Sequence, residues 1–178
     1  MASGADHFIA LTNDGKVYAM GDDTFGQCGQ TSEGRSTTAP FFEKRYGKPV
    51  QVELPEKITK VVCGNRHTLA IGESGKLYGW GYNNQQQLSH SDEYAQEENP
   101  WHAIFTPMLI RKELEGKRVL DAAAGEEFSL VLAENPATHM QEVYACGNNL
   151  RGQLGINRMS HVQDLILVED ISGFVDLY

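Results

Sequence analysis

Residues 63–89, CGNRHTLAIGESGKLYGWGYNNQQQLS, hold the reading that decides the fold. HTLAI is an apolar, partly β-branched run suited to a strand covered on both faces. ESG, at Glu73 to Gly75, supplies a glycine where a two-residue hairpin turn needs positive φ. KLYGWG then reads as a second strand, and the glycine-bounded stretch from Gly81 to Ser89 as a turn that ends the unit.

The same unit occurs twice more. Ser3 to Gly29 reads SGADHFIALTNDGKVYAMGDDTFGQCG, and Ala124 to Gly155 reads AGEEFSLVLAENPATHMQEVYACGNNLRGQLG. Gly4, Gly64 and Gly125 head the three copies at a period of about 60 residues, which suits propeller blades better than helical solenoids. HFIAL and FSLVL match HTLAI, NDG at Asn13 to Gly15 matches ESG, and Tyr18, Tyr78 and Tyr144 occupy one column of the second strand. In the third copy the turn is lengthened to AENPATHMQE, with Pro136 where no ladder hydrogen bond is needed. Each unit closes on a glycine-to-glycine octet that starts at Gly21, Gly81 or Gly147 and reaches Gly155 in the last. Its middle glycine is Gly26 or Gly152; Gln86, with Ser89 at the end, erodes the octet of the second copy.

Fainter outer strands are expected before the headed copies, KITKVVCG at Lys57 to Gly64 and KRVLDAAAG at Lys117 to Gly125. FVDLY, residues 174–178, matches Val119 to Ala123. It is expected to begin a further blade or to close on the N-terminus, because the residues that should follow Tyr178 correspond to Ser3 and Gly4. Residues 1–178 thus read as a single all-β propeller segment with repeat cores 3–29, 63–89 and 124–155.

Composition agrees with an ordinary globular chain of many tight turns. Of 178 residues 40% are hydrophobic, and the 18 glycines exceed the background of roughly 7%. A net charge of −9 disfavours coating of DNA or RNA, which needs clustered Lys and Arg, and makes a basic protein partner the natural expectation. No signal-peptide pattern and no apolar run of about 18 residues occurs, so an intracellular address without a membrane span is expected. Cys28, Cys63 and Cys146 are scattered and lack any Cys-x-x-Cys pair, and read as small buried residues.

The opening Gly-x-x-His-Ser/Thr, the hairpin glycine, the Val-Tyr-x-x-Gly strand and the Gly-Gln-Leu-Gly finish resemble the regulator of chromosome condensation family. CGNRHTLAIGESGKLYGWG, VYACG and GNNLRGQLG carry the resemblance most closely, and Phe128 departs from it where His7 and His67 stand. The resemblance implies a propeller of about seven four-stranded blades. Since closed propellers have roughly four to eight, three blades imply a piece of a longer propeller or a subunit completed by a partner. It also implies, for some members, guanine-nucleotide exchange on a Ran-like small GTPase.

Chemistry is weakly signalled. GDDTFGQC lacks the Lys and Ser/Thr of a phosphate loop, with Gln27 and Cys28 in their places. His7 and His67 read as core histidines, and His90, His102, His139 and His161 show no metal spacing. Asp22 and Asp23 read as turn residues. No catalytic group, metal or cofactor is expected.

Binding residues concentrate on loops held by rigid scaffolds, so the two long connections carry the interaction candidates. FFEKRYGK offers Phe41, Phe42, Lys44, Arg45 and Tyr46; SHSDEYAQEENPWHAIFTPM offers Asp92, Glu93, Trp101 and Phe105. Aromatic and Arg anchors are the residues enriched at interfaces, although these aromatics could equally pack over blade edges. The expected function is a non-enzymatic interaction or scaffold module, with nucleotide exchange as the alternative.

Overall fold

A computed structural model describes residues 1–31, 33, 44–89 and 102–169. Among them are three four-stranded antiparallel sheets, each formed by consecutive strands. The first blade is β1 (Ala2–Ser3), β2 (His7–Leu11), β3 (Val17–Asp22) and β4 (Arg45–Val52). The second is β5 (Ile58–Cys63), β6 (His67–Gly72), β7 (Leu77–Tyr82) and β8 (Ala103–Ile110). The third is β9 (Arg118–Ala124), β10 (Phe128–Glu134), β11 (Gln141–Gly147) and β12 (Val162–Leu167).

The two central strands of each blade match the sequence reading, but their turns are longer than expected. Leu11 pairs with Val17, and the loop is closed by Thr12 N–H donating to the Lys16 carbonyl (2.9 Å) and Gly15 N–H to the Thr12 carbonyl (3.0 Å). Gly72 and Lys76 close the second turn likewise (2.9 Å). The turns are therefore three-residue loops with the glycine in the left-handed position, φ +83° at Gly15 and +81° at Gly75. In the third turn His139 takes that conformation at φ +57°.

The strands expected as outer ones lie instead at the inner edge. β5 packs against β1 and β2, and β9 against β5 and β6, so blades meet along their first two strands. Their apolar residues, Val61, Val119 and Ala122 among them, join one continuous core with Ile9, Leu69 and Trp80. The true outer strands, β4, β8 and β12, fall within stretches that read as connections. Pro49 and Pro107 are accommodated there because an edge strand has no outward ladder bond to lose.

Full burial of the first hairpin strand holds only where a blade stands on each side. Every residue of β6 is buried, whereas Phe8 and Ala10 of β2 are half-buried. Residues 174–178 lie outside the described residues.

Each blade kinks at one place. The register between its third and fourth strands slips across Met20, Trp80 or Cys146, just before Gly21, Gly81 and Gly147 at φ +107°, +104° and +106°. A Cβ there would lie 2.4–2.5 Å from the carbonyl oxygen of Asp6, Arg66 or Glu127.

The octet that follows keeps one geometry three times. The third-position side chain accepts from a backbone N–H five residues on: Asp23 from Cys28 (2.8 Å), Asn83 from Leu88 (2.8 Å) and Asn149 from Leu154 (3.0 Å). The glutamine Oε1 of Gln27, Gln87 or Gln153 accepts from the N–H two residues back, at 2.8, 3.0 and 3.0 Å. The second octet is therefore eroded in sequence only: Gln86 (φ +60°) and Ser89 (φ +64°) adopt the left-handed conformation that Gly26 and Gly29 hold elsewhere.

That conformation is costly for a residue with a Cβ, so Gln86→Gly is expected to stabilise the chain by about 0.5–1 kcal/mol. The melting temperature should rise by about 1–4 °C. An unchanged or lower melting temperature would show that Gln86 makes contacts worth more than the strain.

Candidate protein-interaction site

The loops that head the blades and the octets share one side of the sheets. Asp22, Tyr82 and Asn148 donate their backbone N–H to the carbonyls of Asp6, Arg66 and Glu127 at 2.7, 2.8 and 2.9 Å, which ties each octet to its own blade's head. Between the first and second blades this arrangement opens a cavity of about 750 Å³, lined by Asp6, Asp22, Phe25, Arg45, Tyr46 and Arg66 among others.

Its geometry is fixed from below. Asp22 accepts from Thr24 Oγ1 (2.7 Å) and Gln27 Nε2 (2.8 Å), and lies across the strand pair from Arg45. Phe25 packs its ring on Tyr82, centroids 4.4 Å apart, and Arg66 lays its guanidinium over Phe25 at 5.2 Å. Lys44 sits over Tyr46 at 5.3 Å. Arg66 is exposed and makes no ion pair among the described residues.

Lys44, Arg45 and Tyr46, expected in a loop, border or begin β4, and Arg45 and Tyr46 line the cavity. Phe105, also expected in a loop, is on β8 and is half-buried; a Cβ on Gly26 of the neighbouring octet would meet its backbone at 2.8 Å and its ring at 3.0 Å. It therefore abuts the octet of the first blade. Phe41, Phe42, Asp92, Glu93 and Trp101 lie outside the described residues. Asp6, Phe25 and Arg66 were not singled out in the sequence, because they come from loops of two different repeats.

The histidines are held at the blade junctions. His7 Nε2 lies 3.0 Å from Thr68 Oγ1, and His67 Nε2 3.0 Å from Ser129 Oγ. Ser129 donates its proton to the Gln87 carbonyl (2.6 Å), so His67 Nε2–H is the donor of that pair. Burial holds His7 down to about 4 and His67 to about 3. Trp80 Nε1–H donates to the Gln27 carbonyl (3.0 Å) and Cys146 Sγ–H to that of Gln87 (3.4 Å), tightening the same junctions. Burial pushes the Cys63 and Cys146 thiols up to about 12, which suits packing rather than nucleophilic chemistry.

Comparison with known proteins agrees with this architecture. The chain is 31% identical over 166 residues to X-linked retinitis pigmentosa GTPase regulator of Canis lupus familiaris, covering 91% of this chain and 14% of that protein. It is 33% identical over 158 residues to Protein pim1 of Schizosaccharomyces pombe, covering 88% of this chain and 26% of that protein. The chain thus spans a minor part of the length of these relatives. Among solved structures, Prp20p from Saccharomyces cerevisiae superposes with a TM-score of 0.76 at 21% identity, covering 94% of this chain and 37% of that one. Models of the Regulator of chromosome condensation (RCC1) repeat match residues 14–71 and 74–132, and a second such model matches residues 58–87. With three phased copies of one four-stranded unit and more than half of its residues matched, this chain belongs to the RCC1 repeat family.

Proposed function

We propose that the chain is a non-enzymatic protein-interaction module, and that its partner binds at the cavity between the first and second blades. The observation that carries this reading is Arg66, exposed and stacked on Phe25 without an ion-pair partner among the described residues. A guanidinium already ordered on an aromatic ring loses little further freedom when a partner's carboxylate meets it, and Arg and aromatic anchors dominate binding energy at interfaces. Tyr46 lines the same cavity, and Tyr82 backs the Phe25 ring.

The second reading is nucleotide exchange on a Ran-like small GTPase. What favours it is the likeness to Prp20p, whose binding to Gsp1p and histones has been studied. Exchange requires preference for the nucleotide-free GTPase; a scaffold is indifferent to nucleotide.

Tagged chain would be used to recover its bound protein from cells, and the complex compared between the native chain and the Arg66→Glu and Phe25→Ala variants. Each variant is expected to weaken the complex about tenfold or more, with melting temperature unchanged for Arg66→Glu. Binding that ignores both substitutions would place the partner elsewhere on the molecule. Adding GDP or GTP to the complex then separates the two readings.

A further inference from the structure

Counting its glycine as the first, the third residue of every blade head carries a charge: Asp6, Arg66 and Glu127. What that charge meets is set by the residue just after the kink glycine, which is Asp22, Tyr82 or Asn148 and which bonds its backbone to the same head. On the third blade Asn148 Nδ2 donates to Glu127 Oε2 at 3.0 Å, so the carboxylate is held within its own blade.

On the first blade a carboxylate stands in the place of that amide. The Asp22 side chain has no N–H to offer, and its oxygens are committed to Thr24 and Gln27. The Asp6 carboxylate is left exposed, with no hydrogen-bond or ion-pair partner among the described residues. On the second blade Tyr82 backs the Phe25 ring, and the Arg66 guanidinium lies over that ring at 5.2 Å instead of reaching Asp6. The two heads are nevertheless neighbours, because Ala5 donates its N–H to the Asn65 carbonyl at 3.0 Å. Asp6 from the first blade and Arg66 from the second thus line one cavity without pairing with each other.

The overall charge of −9 favours a basic partner, but exposed charges more than about 8 Å away are largely screened at physiological ionic strength. A docking segment therefore answers to the local pair. Resting on the reading of this cavity as the docking site, we propose that the partner enters it with a protein segment carrying both signs, a Lys or Arg for Asp6 and an Asp or Glu for Arg66. The stacked guanidinium can take a carboxylate through two parallel N–H bonds. A segment of one sign would set a like charge against either Asp6 or Arg66, and a segment docked in reverse would do so at both, so the pair also fixes direction.

A random peptide library displayed on phage, selected on the native chain and counter-selected on Gly47→Trp, tests this. Gly47 lines the cavity and a Cβ there meets nothing within 4 Å, so the indole can fill the space without disturbing the fold. Thermal melts establish that each variant is folded. Peptides that Gly47→Trp rejects are expected to carry both a basic and an acidic residue. In a synthetic peptide from that pool, exchanging the acidic residue for Lys is expected to weaken binding about tenfold or more, and Arg66→Glu to restore it to within about threefold. Asp6→Lys is expected to rescue the peptide whose basic residue is exchanged for Glu in the same way. Cavity-dependent peptides of one sign, or of none, overturn this inference and leave the docking site standing, as does a charge exchange that its reciprocal variant fails to rescue. If no selected peptide distinguishes the native chain from Gly47→Trp, the docking reading itself falls and this inference with it.

Discussion

Alanine at position 64 is expected to cost the chain about 3 kcal/mol or more and to lower its melting temperature by about 10 °C. The cause is crowding at a blade junction. A Cβ on Gly64 would lie 2.0 Å from His67 Cε1 and 2.4 Å from the carbonyl oxygen of Gly125 in the next blade. Neither neighbour has room to retreat. His67 is fully buried and bonded to Ser129, and Gly125 is held in its own turn by donating N–H to the Phe128 carbonyl at 2.9 Å. Gly64 N–H bonds the His67 carbonyl in the same way, so a shift of residue 64 would also break the turn that heads its blade.

Gly4 and Gly125 provide the controls. A Cβ on Gly4 meets His7 at 2.2 Å and the Gly64 carbonyl at 2.6 Å, a similar vice. At Gly125 the three nearest atoms all belong to the Phe128 ring, 2.0–2.6 Å away, and that ring stands half-buried on the open side of the third blade. Gly4→Ala is therefore expected to approach Gly64→Ala in cost, and Gly125→Ala to cost distinctly less. Urea unfolding of the three variants orders them. If Gly64→Ala proved no worse than Gly125→Ala, the carbonyl of the next blade would not be the obstacle.

These glycines were legible in the sequence as repeat heads, and so were the two central strands of each blade, because apolar runs bracketed by glycine turns recur in phase. The fourth strands were not. RYGKPVQV buries only Val52 and contains Pro49, so its pattern is that of a solvated loop; only the pairing with β3 makes it a strand. AIFTPMLI is apolar and buries Ala103, Ile104, Met108 and Ile110, but Pro107 interrupts it. The polar pairing at the blade junctions was half visible. His7 and His67 stood out as a column, but their hydroxyl partners are 61 and 62 residues away, in the column beside the histidine of the following copy. An offset of one repeat plus one residue is what had to be sought.

The candidate site shows the same limit. Arg45 and Tyr46 were found through local composition. Phe25 lies within an octet and Arg66 within a repeat head. Their meeting follows from the packing of one blade's octet against the next blade's head, which no single repeat displays.

The buried histidines make stability depend on pH in a window where few other groups titrate. In the unfolded chain both take up protons near pH 6.5; in the native chain burial holds His7 to about 4 and His67 to about 3. Between those values the unfolded state binds more protons than the native one. Stability is therefore fully present above about pH 7 and falls as pH drops through 6.5, by up to about 1.4 kcal/mol per pH unit for each histidine. With both acting, the chain at pH 5 is expected to be less stable than at pH 7 by about 3–4 kcal/mol. The native geometry enforces this, since each Nε2 is committed to a hydroxyl and each Nδ1 is buried without a partner, so a second N–H would find no acceptor.

His67→Phe isolates one of the two. Phe128 already occupies the equivalent place in the third blade, and Ser129 keeps its bond to the Gln87 carbonyl, so the substitution leaves no buried donor without an acceptor. Urea unfolding at pH 7, 6 and 5 is expected to give a slope between pH 6 and pH 5 reduced by about half in the variant, even if its stability at pH 7 is lower. An undiminished slope would assign the acid sensitivity to other groups and would mean that His67 can be protonated in place. That would require Nδ1 to find an acceptor beside Gly64, where the present packing leaves it none.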